Sequence, residues 1–149
     1  MYVTYALLGA LMASIGTIFA KVGLKGVDAN LLTAVRGIVM AVVVTLAAVS
    51  LGKLSQTGLL SLSSKNWLFI VISGAAGALS WIFFYHALAL GPTVAVTVID
   101  KLSIVFTAIL AVLVLAEGMT FQGVIGLLLV VTGSILVAIP WNTIASFFR

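Results

Sequence analysis

Cysteine is absent from this chain, and charge is scarce. Without cysteine there is no disulfide framework, no thiolate metal site and no thiol nucleophile. Seven basic and three acidic residues make up only 7% of 149 residues. A soluble domain carries about 25% charged residues, so too few charges are present to solvate a water-facing surface. Disorder is excluded too, because disordered chains are poor in apolar residues and 64% of this one is hydrophobic. The net charge of +4 comes from scattered cations. They lack the clustered footprint of a nucleic-acid binder, so no nucleic-acid partner is expected. Catalytic signatures are missing as well: there is no HExxH, GxSxG, Walker loop or GxGxxG after a strand. No enzyme is expected. One histidine and few acids make no metal set, and nothing implies a cofactor.

Long apolar runs are what the chain does have. Roughly 20 apolar residues cross the bilayer core, and charge-poor runs of that length occupy residues 2–22, 31–51, 67–90, 93–116 and 120–139. Barrel strands are about half as long and alternate in polarity. The spacing therefore predicts an all-α, multi-pass membrane protein of five transmembrane helices in one small domain, residues 1–139. The first run has no positive segment before it and Lys21 after it, so it reads as a retained helix rather than a signal peptide. Gly26, Gly91-Pro92, Gly118 and Pro140 punctuate the runs, and 52–66 is the one long loop, with an interfacial turn expected around Leu59, Leu60 and Leu62. The tail, 140–149, places Trp141, Ile144, Phe147 and Phe148 near one helical face. That pattern predicts a short segment lying in the headgroup region.

Five spans put the termini on opposite sides, A for the N-terminus and B for the other. Side A holds Lys53 and Lys65. Side B holds Lys21, Lys25 and Arg149, joined by Arg36 and Lys101 in the B halves of their helices. The bias places B in the cytoplasm weakly, and a weak bias permits both orientations.

Ionisable groups within the spans are few. Arg36, His86, Asp100 and Lys101 each lie roughly 7 to 12 Å inside side B, from the rise per residue. An intramembrane carboxylate is a functional candidate by default. Asp100 either serves that way or neutralises Arg36 or Lys101. Arg36 either snorkels or forks a carboxylate or phosphate. His86 is either a satisfied interhelical hydrogen bond or a proton site. Lys21, at a helix end, reads as structural. Neighbours on a helix are about 100° apart, so Asp100 and Lys101 are expected to face different surroundings. A stripe of Val96, Asp100, Ser103 and Thr107 is turned inward. With Ser73, Gly77, Ser80, Trp81 and Phe84 on the third helix, and Ser14, Thr17 and Lys21 on the first, it lines a cavity open to side B. Gly9, Ala13, Gly16, Gly123, Gly126 and Gly133 are expected to let helices pack closely.

The stretch Phe84-Tyr85-His86-Ala87-Leu88-Ala89-Leu90-Gly91, then Val94 to Val98, Asp100-Lys101-Leu102-Ser103 and Ala116-Glu117 resembles the third and fourth helices of EamA-type transporters. These belong to the drug/metabolite transporter superfamily. Ile18-Phe19-Ala20-Lys21 and Arg36 also resemble that pattern, and the likeness spans most of residues 5–139. Its members usually carry ten helices as two inverted five-helix halves and move small metabolites by alternating access, often as exporters in the inner membrane. The resemblance implies that this chain is one such half, working as an antiparallel homodimer with dual topology, as the smaller multidrug members do. Helix 1 carries no glutamate, which argues against drug export by their proton-coupled mechanism.

The reading that follows is a secondary transporter, exporting a small polar substrate from the cell inner (plasma) membrane. Arg36, Lys101 and His86 outnumber Asp100, which favours a substrate bearing a carboxylate or phosphate. Candidate substrate or coupling residues are Arg36, Ser80, Trp81, Tyr85, His86, Asp100, Lys101 and Ser103. The alternatives are a flippase for a lipid-linked phosphate carrier and a non-transporting membrane scaffold.

Overall fold

The computed structural model describes residues 1–54 and 61–138. Among these it is all-helical: α1 (Tyr2–Gly23), α2 (Ala29–Ser50), α3 (Ser64–Leu90), α4 (Thr93–Asp100), α5 (Ser103–Leu115) and α6 (Phe121–Ala138). Five spans are long and apolar enough to cross a membrane, the fourth being α4 and α5 together. The expected five-span, all-α class is the one observed. The aromatic tail and the turn expected at Leu59 and Leu60 lie outside the described residues.

Local chemistry sets the helix ends. Asp28 starts α2 by accepting the N–H groups of Asn30 and Leu31 at 2.9 and 3.0 Å, which satisfies two donors that the first turn leaves open. Ser63 does the same for α3 through Asn66 N–H at 3.2 Å, so α3 begins three residues before the apolar run that located it. Thr120 caps α6 through Gly123 N–H at 3.1 Å. Past the end of α2, Gly52 takes the left-handed conformation at φ 63°. Its N–H reaches Val49 O, and Lys53 N–H reaches Ala48 O, both at 2.9 Å; this pair of bonds closes a helix C-terminus. Ala116 plays the left-handed part after α5, at φ 54°.

The fourth span departs from the continuous helix that the sequence predicts. At Lys101 and Leu102 the hydrogen bonds shorten to three residues: Lys101 N–H to Val98 O at 3.1 Å, Leu102 N–H to Ile99 O at 2.9 Å and Ile104 N–H to Lys101 O at 3.0 Å. This is tight 3₁₀-type winding. No proline or glycine marks it.

The chain forms two compact units, Met1–Leu90 and Gly91–Arg149. In the first, α2 runs along α3 and α1 touches α3. Its buried residues are Ala20, Ala29, Thr33, Tyr85 and Leu88, all near side B. Small residues let the helices converge there: a Cβ on Gly23 would sit 3.3 Å from Leu32 Cδ1. Lys21 Nζ donates to the Leu88 carbonyl, one of the last carbonyls of α3, where a cation also meets the negative helix end. Toward side A, large apolar side chains such as Leu8, Leu11, Val43 and Ile70 are exposed. In the second unit, α4 packs on α6 and α5 touches α6, with Ser134 buried.

Candidate functional site

Arg36 leaves α2 one turn beyond buried Thr33 and enters the space between α1 and α3. Its guanidinium carbon lies 5.7 Å from the ring centre of Trp81 and 5.1 Å from that of Tyr85. Trp81 and Tyr85 are one turn apart on α3, so they share a face. Tyr85 is only 2% exposed, and Phe84 meets it edge-on with ring centres 5.3 Å apart. Two aromatic faces thus hold the cation by their negative quadrupoles. Room for it comes from Gly16 of α1: a Cβ there would stand 3.1 Å from Arg36 Nη2. Within the first unit no carboxylate among the described residues is seen to pair with Arg36; in the second, Asp100 pairs with Lys101.

Beside Arg36 a groove of about 500 Å³ opens between α1 and α2. Phe19, Ala20, Leu31, Leu32 and Val35 line it, with Arg36 at its inner end. An apolar wall with one convergent polar group is the usual composition of a small-molecule site.

The other candidates of the first unit stand apart from this cluster. His86 is exposed, and its Nδ1 lies 3.1 Å from the Ile82 carbonyl of its own helix. A carbonyl only accepts, so Nδ1 is the donor in this bond. The bond is intrahelical rather than interhelical. Ser80 is exposed, about 100° round the helix from Trp81. Ser14 and Thr17 donate to Ala10 O and Ala13 O of their own helix, each at 2.9 Å, and so offer no hydroxyl hydrogen to a cavity.

In the second unit the candidates gather at the break in the fourth span. Asp100 ends α4, and Ser103, exposed, opens α5. Asp100 Oδ2 and Lys101 Nζ are 3.5 Å apart. A regular helix would hold these neighbours about 100° apart; the local winding and the long lysine stem bring them together instead. One turn earlier, Thr97 Oγ1 is buried with no hydrogen-bond partner among the described residues.

Two features were missed by sequence reasoning. Gly16 reads as a helix-packing glycine, yet an arginine head fills its space. The signal was available in the i, i+4 spacing of Gly16 and Ala20 opposite Leu32 and Arg36. Thr97 lies three residues before Asp100, hence beside it on the helix surface, but its immediate neighbours Val96 and Val98 are apolar and give no sign of a site.

The model of the EamA-like transporter family matches residues 1–139. A protein of Sinorhizobium sp, described as an uncharacterized transporter in the cobO 3′ region, is 33% identical over 135 residues, 91% of this chain and 94% of that protein. No solved structure matches.

Proposed function

This chain belongs to the EamA-like transporter family and is a multi-pass membrane transporter, and from that premise we propose that it exports small polar anions by alternating access, as an antiparallel homodimer in the inner (plasma) membrane. The observation that carries the anion is Arg36. It sits on Trp81 and Tyr85 with no carboxylate partner among the described residues of its own unit. Cation–π contact uses the ring faces, while the five guanidinium N–H donors still need acceptors, and a bound carboxylate or phosphate supplies them in bidentate form. Asp100 or His86 is the coupling proton site.

Dimerisation is supported by the first unit. Its helices converge at side B and present unpartnered apolar faces toward side A, where a Cβ on Gly9 would meet nothing within 4 Å among the described residues. An inverted second copy covers such faces and repeats the Arg36 cluster at the other gate.

A thermal-shift screen tests the substrate charge, because a ligand that binds only the folded state stabilises it by mass action. Stabilisation by carboxylates or phosphates that disappears in Arg36→Gln supports the reading. Stabilisation by organic cations, unchanged in Arg36→Gln, overturns it.

A further inference from the structure

We propose that the groove between α1 and α2 seats the apolar body of the substrate while Arg36 holds its anionic head, so that the protein selects amphipathic anions over purely polar ones. This rests on the transporter reading and narrows its substrate class. The groove is about 500 Å³, within the range of small-molecule pockets. Its wall is Phe19, Ala20, Leu31, Leu32 and Val35, and its one charged group is Arg36. A purely polar anion at Arg36 would leave that wall in contact with water or lipid and gain nothing from it. An anion with an apolar arm fills it and gains about 0.8 kcal/mol for each methylene buried.

Geometry also orients the ligand. Trp81 and Tyr85 engage Arg36 from the α3 side, and Gly16 marks its α1 side. The head therefore lies at the inner end of the groove, and the arm points along α2 toward Leu31. Arg36 to Leu31 is five residues, or roughly 7.5 Å of helix. That length admits a ring or a short chain. Beyond Leu31 only Val27 continues the wall, so longer arms gain little further contact.

The test uses Trp81 fluorescence in full-length protein carrying Trp67→Phe and Trp141→Phe, in nanodiscs of uncharged lipid. Acetate, phenylacetate, 3-phenylpropionate and 3-phenylpropionamide are titrated. Affinity is expected to rise about three- to fourfold per buried methylene, with 3-phenylpropionate at least tenfold tighter than its amide. Partition into lipid favours the neutral amide, so it opposes this order. Arg36→Gln is expected to abolish the preference for acid over amide. Val35→Phe, at an exposed position, is expected to weaken 3-phenylpropionate several-fold more than acetate. Acid and amide binding alike, acetate matching phenylpropionate, or no effect of either substitution overturns the proposal. A gain that continues with decyl phosphate assigns the groove to a lipid tail and also overturns it. The transporter reading fails separately: binding as described without flux into proteoliposomes removes transport and leaves the site. Flux of small polar anions without any effect of arm length removes the groove and leaves transport.

Discussion

At the scale of single residues, the site depends on what Gly16 lacks. Alanine there puts a Cβ 3.1 Å from Arg36 Nη2, and the flexible arginine gives way rather than the backbone. Helix propensity acts in the opposite direction, favouring alanine by roughly 1 kcal/mol. Gly16→Ala is therefore expected to hold or raise the melting temperature while weakening anion binding about tenfold. Equal binding in both proteins would mean that the guanidinium position is not set by Gly16. Asp100 provides the complementary case. Its only charged partner among the described residues is Lys101, whose long stem lets the ammonium move to a new place when the carboxylate goes. Asp100→Asn keeps shape and hydrogen bonding but removes the proposed proton site. Its flux is expected to fall at least tenfold while its melting temperature changes by only a few degrees. A large loss of stability with proportionate loss of flux would make Asp100 a structural counter-ion instead.

At the scale of elements, the fourth span is the irregular one. Three-residue hydrogen bonds replace four-residue ones between α4 and α5, and the buried Thr97 hydroxyl stands one turn away with no partner among the described residues. An unsatisfied buried hydroxyl costs about 1–3 kcal/mol, so Thr97→Val, which keeps the branched shape, is expected to raise stability by roughly 1 kcal/mol in thermal unfolding. A loss of stability would show that the hydroxyl is bonded. The five spans were legible in the sequence because bilayer thickness fixes run length, and Ser63, Asp28 and Thr120 mark starts that cap chemistry makes local. The break at Lys101 was not legible, since the residues around it carry no proline or glycine and suit a continuous helix. Arg36, Trp81 and Tyr85 were each legible as candidates from depth and type. Their mutual contact was not, because it joins residues 45 or more positions apart through helix packing. His86 shows the same limit: its depth is a matter of counting, whereas its bond to Ile82 follows from a side-chain rotamer.

At the scale of the whole molecule, the proposed export calls for a pair of opposed chains. The loop and terminal cations divide two to three between the sides, and Arg36 and Lys101 add only a weak bias toward side B, which permits both orientations; a two-fold axis in the membrane plane would turn one gate into two. Ser64→Cys at the start of α3 is expected to label from both faces of the membrane in intact cells and inverted vesicles, with no native cysteine to compete. Labelling from one face alone would leave a parallel pair or an inverted partner of different sequence. The claim beneath this is that the chain moves an anion held by Arg36, and flux of a radiolabelled organic carboxylate into proteoliposomes containing only this purified protein tests it most directly. The expected result is saturable uptake that Arg36→Gln reduces at least tenfold with its melting temperature preserved. Uptake equal in the two proteins, or none above that of empty liposomes for any carboxylate that stabilises the fold, would contradict it.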